Sequence, residues 1–581
     1  MTAITADTRQ HALTSMTGGR PLDILVVGGG VTGAGIALDA ATRGLRVGIV
    51  EAQDWGAGTS SRSSKLVHGG LRYLQMLDFK LVTEALGERG RLIDRLAPHL
   101  VRAVPFLYPL DHWYERPYVG AGIALYDALA TIGTRNRAVP THRHVTAQKL
   151  RKIFPDIKEG VCRGAIRYYD GQVDDARLVI DLVRTAASFG ALAASRTEVN
   201  EFLRDDSGRV VGARVTDLET GSEHRISAQV VISATGVWTE ETQHRAGADH
   251  GLRVLASKGI HIVVPRARIN GESGIILQTE KSVLFIIPWS RYWVIGTTDT
   301  GYHGDLIHPV ATAADIDYVL DHANAILARP LSRADVIGTW AGLRPLLQPE
   351  TKGDGTASTK VSREHTVTEA APGLISIAGG KLTTYRVMAE DAVDFALGLE
   401  RAKQLPSGTN ETPLVGGAGY HVYARQAPLI QQTYGWSEAT VAHLLHRYGS
   451  ALPELLAQVD ARPDLGRPVT GAEAYLRVEI VYGVTHEGAL HLEDIMTLRT
   501  RLTYEVADQG LSALEEIAAL VGDELGWDEQ RRATEIAAYR ARCAAERAAA
   551  GTSTDEAAEL ARGRAGDVLA ELPLGTTVTI G

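Results

Sequence analysis

The hydrophobic pattern near the start of the chain predicts a nucleotide-binding βαβ unit. Residues 24–27 form an apolar run and a glycine turn follows. A helical pattern then leads to a second apolar run over 47–50, which ends at Glu51, 23 positions after Gly28. Residues without a Cβ let a pyrophosphate approach the helix N-terminus, where free N–H groups and the helix dipole favour an anion. An acidic residue at this spacing accepts hydrogen bonds from an adenosine ribose. We therefore predict that the chain binds a dinucleotide.

Two further apolar runs end in glycine turns far downstream, VVISATGVW at 230–238 and LISIAGGKLTTYR at 374–386. Their recurrence predicts a single discontinuous nucleotide-binding domain with other modules inserted between its pieces. Between them, β-branched and aromatic runs within 259–299 predict an antiparallel sheet that forms one wall of a substrate pocket. Beyond about residue 405 the apolar spacing becomes helical, which predicts a separate helical domain.

These changes of pattern predict the domain boundaries. We expect a flexible lead over 1–20 and a helical C-terminal domain over 405–581. The other segments alternate between a nucleotide-binding domain, expected at 21–100, 161–250 and 341–404, and a cap or substrate domain, expected at 101–160 and 251–340.

Composition narrows the class of protein. A chain of 581 residues with 45% hydrophobic content is too long for one core, and its formal net charge of −9 argues against nucleic acid as the main partner. Two cysteines, Cys162 and Cys543, make no disulfide framework, and we predict no metal site. The longest uncharged run, 24–38, has fifteen residues, whereas a membrane span needs about 20. We expect a cytoplasmic protein that is soluble or peripheral to a membrane.

The second glycine turn favours a flavin over a nicotinamide cofactor. AGGK at 378–381 directs another helix N-terminus into the same sheet. A helix N-terminus stabilises the negative charge that a reduced flavin carries around N1 and C2=O, so we predict FAD. The alternative is a glycine turn that serves only close packing. The stretch TSSRSSKLVHGGLRY at 59–73 offers hydroxyl and cationic side chains that line the flavin and its phosphates, or else form an ordinary solvated loop.

The predicted cofactor contacts follow from these turns and this loop. His68 is expected to be a contact of the flavin loop rather than a base. The full set is Gly28, Gly30, Val31, Thr32, Gly33, Glu51, Ala52, Thr59, Ser60, Ser61, Ser64, Lys65, Leu66, His68, Gly70, Ala234, Thr235, Gly236, Gly379, Gly380, Lys381 and Leu382.

Motifs spread in order over residues 20–390 carry a family resemblance. They are GGGVTGAG, EAQD, TSSRSSKLVHGGLRYL, DDARL, ATGVW, HIVVPR, GTTD, GLRPL and GGKLTTYR, and EIVYGVTHEGALHLEDIMTLRTRL at 479–502 extends the match. Together they resemble the FAD-dependent glycerol-3-phosphate dehydrogenase family. The resemblance implies an α/β fold: a discontinuous, Rossmann-like FAD-binding domain of the glutathione-reductase and D-amino-acid-oxidase type, with an inserted antiparallel sheet and a helical C-terminal domain.

The resemblance also implies an activity in the catabolism of glycerol and glycerophospholipids. The reaction is oxidation of sn-glycerol 3-phosphate to dihydroxyacetone phosphate, with electrons passed from FAD to a quinone at the inner face of the cell membrane. It assigns Arg72, Arg344 and Lys381 to substrate binding. Guanidinium forks and a lysine point charge suit a phosphate dianion, although arginines more often face solvent. The remaining candidate substrate ligands are Tyr73, Thr384 and Arg363.

The predicted chemistry needs a hydride to leave C2 of the substrate for flavin N5 while a base takes the hydroxyl proton. His261, on the first strand of the inserted sheet, is the preferred base, because an unperturbed histidine pKa of about 6.5 suits proton abstraction near neutral pH. Arg344 and Lys381 complete the predicted catalytic set. A structural, hydrogen-bonded histidine is the alternative for His261.

Two other functions stay open at this stage. An FAD-dependent amino-acid or hydroxy-acid oxidase shares the nucleotide fold but needs one Arg and one Tyr for a carboxylate. The second alternative is a flavoprotein that binds FAD without catalysing a reaction. Oxygen also remains possible as the final electron acceptor. Residues 106–137 mix aromatic, apolar and basic residues, as either an interfacial membrane segment or an ordinary cap does. We also expect a homodimer.

Overall fold

The computed structural model describes residues 3–70, 78–112, 114–130, 138–248, 251–280, 283–348, 365–570 and 572. In chain order, the strands are β1 (Leu22–Val27), β2 (Val47–Val50), β3 (Leu66–Val67), β4 (Arg102–Leu110), β5 (Arg143–Thr146), β6 (Gly164–Gln172), β7 (Leu192–Ala194), β8 (Thr197–Arg204), β9 (Val210–Asp217), β10 (Ser222–Ser233), β11 (Val254–Pro265), β12 (Gly274–Gln278), β13 (Val283–Trp289), β14 (Tyr292–Gly296), β15 (Thr300–Gly301), β16 (Gly338–Leu347), β17 (Thr366–Ala371), β18 (Leu374–Ala378), β19 (Pro468–Val469) and β20 (Ala472–Leu476).

The α-helices lie between and after these strands. In chain order, they are α1 (Ala6–Thr17), α2 (Val31–Thr42), α3 (Phe79–Arg91), α4 (Glu115–Leu129), α5 (Ala147–Ile153), α6 (Asp175–Ser188), α7 (Thr239–Arg245), α8 (Ala313–Ile326), α9 (Tyr385–Leu397), α10 (Leu399–Gln404), α11 (Tyr420–Arg425), α12 (Ala427–Tyr434), α13 (Glu438–Tyr448), α14 (Leu452–Ala461), α15 (Arg477–Thr485), α16 (Leu492–Asp494), α17 (Leu502–Glu505), α18 (Leu514–Leu525), α19 (Glu529–Ala550) and α20 (Asp555–Arg562).

The first sheet joins three distant parts of the chain. Its strand order is β17-β18-β10-β1-β2-β7, and β18, β10, β1, β2 and β7 run parallel. Helices α2, α6 and α9 pack beside one another, and their apolar residues share one core with this sheet. Parallel strands place their carboxyl ends at one edge, so the turns after β1, β10 and β18 meet there. The prediction of a discontinuous nucleotide-binding fold is confirmed.

The second sheet contains the predicted antiparallel runs and more. Its order is β15-β11-β14-β13-β12-β4-β6-β3, with β16 paired to β11 and β5 to β6. Both β6 and the end of β16 lie in this sheet, whereas the sequence pattern grouped residues 161–172 and 341–347 with the nucleotide-binding domain. The reason is that the residue pattern of an apolar strand does not show which of two sheets the strand pairs with. The exact domain boundaries remain predictions.

The N-terminal segment differs from the expected flexible lead. Residues 6–17 form α1, which begins with a capping box between Thr5 and Thr8. Leu13 and Met16 are buried against the first sheet, and Arg9 pairs with the buried carboxylate of Asp217 at 2.5 Å. Because only a few apolar residues anchor the helix, its short pattern gave little signal in the sequence.

The C-terminal region is helical, as predicted, apart from the small hairpin of β19 and β20. Its apolar residues form two cores. Buried ion pairs join it to the first sheet's domain. His491, for example, lies between Glu219 of the nucleotide-binding fold and Glu535 of α19, at 2.8 and 2.9 Å. These two carboxylates outweigh burial and raise the pKa of His491 to about 10, so the imidazole is charged at neutral pH.

Candidate functional site

The candidate site lies where the strand-end turns of the first sheet face β11 and β16 of the second. Residues 58–70, called the site loop below, run between the two sheets. Thr59 donates to the Leu343 carbonyl of β16 at 2.7 Å, and Ser60 accepts the Val31 N–H of α2 at 2.9 Å. The loop thereby fixes the spacing between the nucleotide-binding turn and the second sheet.

The first glycine turn has the tight geometry that a dinucleotide needs. Gly28 has a φ of +107°, and a Cβ there would lie 2.7 Å from the Ala234 carbonyl oxygen. A Cβ on Gly33 would overlap the Gly28 carbonyl oxygen. Helix α2 begins immediately afterwards, and the N–H groups of its first turn have no partner within the helix; that of Val31 is donated to Ser60, and those of Thr32 and Gly33 follow it. The turn therefore fits the pyrophosphate of the predicted FAD.

Glu51 lies beside this turn. One carboxylate oxygen accepts the Gly29 N–H at 2.5 Å and the other accepts the Gln53 N–H at 2.8 Å. Burial raises the pKa of Glu51 despite these bonds. A carboxylate has about four acceptor sites, so these two N–H donors leave capacity for ribose hydroxyls. Ala52 follows directly, Ala234 and Thr235 lie against Gly28 from the end of β10, and Gly236 comes next in the chain.

The second glycine turn lies against the site loop. Gly379 and Gly380 have φ of +81° and +78°, a left-handed conformation that favours glycine. Lys381 and Leu382 follow, and the short turn at 382–384 leads into α9. Thr383, which was not among the predicted ligands, accepts the His68 N–H at 3.1 Å and donates to the His68 carbonyl at 3.2 Å. The predicted Thr384 is buried and donates to the Lys381 carbonyl at 3.4 Å.

His261 is a buried imidazole on β11, with 2% of its surface exposed. Its Nε2 lies 2.8 Å from the Ser64 hydroxyl of the site loop, and its ring stacks on Trp340 at 5.1 Å. Its Nδ1 has no hydrogen-bond partner among the described residues. Burial, with help from the cations Arg344 and Lys65, holds the pKa of His261 well below its ordinary value. The ring is therefore neutral at pH 7 and able to accept a proton.

Arg344 lies on the same face of the second sheet as His261. Strand register pairs Ser257 with Arg344 and His261 with Trp340, and alternate residues of a strand share a face. The Arg344 guanidinium contacts the Thr297 hydroxyl at 3.0 Å and the Asp299 carboxylate at 3.4 Å, and 24% of its side chain is exposed. A partly solvated arginine beside a neutral imidazole is able to bind an anionic substrate next to a proton acceptor.

A buried ion network holds the site loop from behind. Lys65 donates to the Ser61 carbonyl and to Asp175, both at 2.6 Å. Arg501, from the C-terminal helices, contacts both Asp174 and Asp175 at 2.6 Å. The nearby carboxylates favour the charged form of Lys65, but burial outweighs them and lowers the pKa of Lys65 to about 8.

The sequence pattern assigned no role to several members of this arrangement. Asp175 falls in the DDARL motif and Arg501 in the C-terminal motif, so both residues lie in segments that the family resemblance marked. The spacing of the motifs did not predict that the two side chains contact each other. No sequence motif pointed to Trp340. Of the other predicted contacts, Leu66 lies in β3 beside β6, and Gly70 is at the end of the described loop with a φ of +75°. The remaining predicted substrate ligands, Arg72, Tyr73 and Arg363, lie outside the described residues.

The described residues also bear on metal binding and on membrane spanning. Within the described ranges, no cluster of three or more His, Cys, Asp or Glu side chains is arranged to hold a metal ion. No helix in that part of the chain has the length and apolar character needed to cross a bilayer.

Sequence profiles of two known domains match the chain. The profile described as FAD dependent oxidoreductase matches residues 23–386, which is more than half of the chain. The profile described as C-terminal domain of alpha-glycerophosphate oxidase matches residues 407–532. The two matches follow each other in the order of the nucleotide-binding fold and the helical region.

Relatives match over nearly the whole length. Glycerol-3-phosphate dehydrogenase 2 of Mycobacterium bovis is 47% identical over 556 residues, covering 96% of this chain and 94% of the relative. The mitochondrial glycerol-3-phosphate dehydrogenase of Homo sapiens is 35% identical, with 92% and 74% covered. The crystal structure of glycerol-3-phosphate dehydrogenase from Bacillus halodurans complexed with FAD superimposes with a TM-score of 0.76 at 29% identity, over 93% of this chain and 97% of that one.

The ion network predicts a measurable role for Arg501. In Arg501→Met, Asp174 and Asp175 lose a shared cation, so the free energy of unfolding should fall by about 3 to 5 kcal/mol and FAD should be released at lower urea concentration. Urea titrations followed by circular dichroism and by the fluorescence of released flavin measure both effects.

The matched control is Arg540→Met, which removes an exposed ion pair with Glu515 and should cost at most about 1 kcal/mol. Arg501→Lys should be intermediate, because lysine lacks the planar fork that spans two carboxylates. Equal behaviour of Arg501→Met and Arg540→Met would contradict a role for the network.

Proposed function

The chain belongs to the FAD-dependent glycerol-3-phosphate dehydrogenase family of oxidoreductases, and we propose that it oxidises sn-glycerol 3-phosphate to dihydroxyacetone phosphate and passes the electrons to a quinone. FAD is the cofactor of this family, and the two glycine turns and Glu51 fit it. The observation that carries the proposal is Arg344 on the same face as a neutral, buried His261 beside the site loop. That pairing suits a substrate with a phosphate at one end and a secondary alcohol near it.

Different residues of the chain have different roles in the proposed reaction. Arg344 and Lys381 bind the phosphate, together with Arg72, Tyr73, Arg363 and Thr384 as further predicted ligands. Bound FAD supplies an acceptor for the hydride that leaves C2 toward flavin N5. A second partner must take the hydroxyl proton as the C2=O bond forms.

His261 is the proton acceptor in this proposal. Its ring is buried, and the half-buried Ser64 hydroxyl lies 2.8 Å from Nε2. The substrate proton therefore passes to the Ser64 oxygen while the Ser64 proton passes to His261 Nε2. Stacking on Trp340 holds the ring in the orientation that this transfer needs.

The direct test of the reaction is reduction of the bound flavin without oxygen. Glycerol 3-phosphate should bleach the flavin absorbance, and a panel of amino acids and hydroxy acids should not. Reoxidation of the bleached enzyme by a soluble quinone analogue should be faster than reoxidation by oxygen. Bleaching by an amino acid in place of glycerol 3-phosphate would point to an oxidase of another substrate class. Absence of bleaching by every compound would exclude turnover.

Substitution of His261 tests the proton acceptor. His261→Asn should lower kcat by about a hundredfold or more, with little change in KM, because general-base catalysis contributes about 10² to 10⁴ in rate. Ser64→Ala should show most of the same loss. Because burial lowers the pKa of His261, wild-type kcat/KM should hold down to pH values below about 6.5 and fall only in more acidic solution. Near-normal turnover and an unchanged pH profile in His261→Asn would rule it out as the acceptor.

Contact with the cell membrane is part of the proposal, and α4 supports it. Tyr114, Tyr118 and Leu125 lie on one side of this segment and are 56%, 74% and 41% exposed. Phe79, at the start of α3, is also exposed. A helix that presents apolar and aromatic side chains to solvent is typical of binding at a lipid interface. The predicted homodimer, by contrast, stays a prediction.

Vesicle co-sedimentation tests this surface. The double variant Tyr118→Ser with Leu125→Ser should bind vesicles of phosphatidylethanolamine and phosphatidylglycerol at least tenfold more weakly, since each buried apolar side chain contributes about 1.5 kcal/mol or more. The control is Val422→Ser with Leu429→Ser, which removes similarly exposed apolar groups from α11 and α12. Equal binding of both variants would contradict docking through α4. Trp113 and Arg135 belong to the candidate interfacial segment 106–137 and lie outside the described residues.

A further inference from the structure

A small pocket lies on the far side of the site loop, between the second sheet and the C-terminal helices. Its volume is about 40 Å³, which is room for on the order of three water molecules or one small anion. Arg62 of the site loop, Trp340 of β16 and Tyr504 of α17 all line it. The family resemblance assigns no function to this pocket, and the proposed reaction does not use it.

Positive charge exceeds negative charge in the pocket lining. Arg62, Arg542 and Arg562 contribute three cations, and Glu493 and Glu546 contribute two carboxylates. Arg542 contacts Glu493 at 3.0 Å and Glu546 at 2.9 Å. Arg562 lies 3.8 Å from the same Glu546 oxygen. Both carboxylates are therefore already used by the two C-terminal arginines.

The remaining histidine does not alter this balance. His308 lies 3.4 Å from Arg562 in the pocket lining. Burial, together with the nearby arginines, lowers the pKa of His308 to about 4. The imidazole is consequently neutral at pH 7, and the lining keeps an excess of one positive charge.

Arg62 carries that excess. Its guanidinium donates one hydrogen bond, to the Ile307 carbonyl at 3.1 Å, and has no carboxylate within 4 Å among the described residues. A guanidinium has five N–H donors, so most of its capacity is unused by the described part of the chain. Withdrawal of a cation from water costs free energy, and burial lowers the pKa of Arg62 although Glu546 and Glu493 oppose the change.

Tyr504 adds a second donor from the opposite side. Its ring packs on Trp340 at 5.4 Å, and its hydroxyl makes no hydrogen bond with any described residue. The two carboxylates of the lining pair with the C-terminal arginines, so Arg62 and Tyr504 present donors that no described carboxylate accepts. Acceptor oxygens with negative charge are the complement of such a lining, and bonds to them are the strong, charge-assisted kind.

We propose that this pocket binds a small inorganic oxyanion of the phosphate and sulfate class between Arg62 and Tyr504. The bound anion supplies the missing counter-charge and joins the site loop to the C-terminal helices. Arg62 is two residues from Ser64, and Trp340 stacks on His261. The anion is thus a structural ligand that holds the site loop and the Trp340 ring in place. It does not contact the substrate.

Equilibrium dialysis of the holoenzyme with radiolabelled inorganic phosphate tests the proposal. Phosphate also competes for the proposed substrate site, so the measurements use the Arg344→Met background. This variant should retain one phosphate per chain. Added Arg62→Met should remove the binding, and added Tyr504→Phe should weaken it about tenfold, as expected for one hydrogen bond to a charged group. Tyr504→Phe removes a single oxygen, so it keeps the test valid if Arg62→Met fails to fold.

Three outcomes would overturn the proposal. One is unchanged phosphate binding after Arg62→Met. Another is an equal loss after Arg333→Met, a control that removes an exposed ion pair with Asp317. The third is displacement of phosphate by chloride as readily as by sulfate, which would exclude an oxyanion site. Turnover of glycerol 3-phosphate is measured separately, so failure of the proposed reaction leaves this result unaffected.

Discussion

Two adjacent buried carboxylates hold the site loop against the C-terminal helices. Asp174 and Asp175 stand at the start of α6 and receive Lys65 from the site loop, Arg501 from the C-terminal helices and Arg447 from α13. Although burial opposes the charge of Asp174, Arg501 and Arg447 outweigh it and hold the pKa of that carboxyl well below its ordinary range. Loss of a member upsets the charge balance of this buried network, and breaking a buried ion pair typically costs about 3 to 5 kcal/mol.

This constraint explains why the C-terminal region belongs to the site although it supplies none of the predicted ligands. Arg501 and Lys65 donate to the same Asp175 oxygen, so this carboxylate connects the C-terminal helices to the site loop. Ser64 can then meet His261 at hydrogen-bond distance. The proposed anion pocket lies at the same junction, so two independent charge arrangements bear on one short loop. The helical region therefore stabilises the position of the site loop through these ion pairs.

The segments that form the candidate cofactor site were predictable from local pattern. The glycine turns at Gly28 and Gly379, the acid at Glu51 and the hydroxyl-rich loop are short segments whose chemistry depends on neighbours in the chain. The contact of Ser64 with His261 was not predictable, because it spans 197 residues, and the contact of Arg501 with Asp175 spans 326. Thr383 rather than Thr384 meets the site loop for a similar reason: the direction of a side chain depends on the packing around it.

The FAD-type fold, and the turns at which a phosphate is expected to approach the backbone, were readable from local sequence patterns alone. Glycine conformations and helix N-termini are set within a few residues, and these signals survive without knowledge of the rest of the chain. The folded structure was needed to show that β6 and β16 join the second sheet, that α1 forms, and that Arg501 shares Asp175 with Lys65 of the site loop. Strand pairing and buried ion pairs depend on which distant segments meet, and no local pattern encodes the partner.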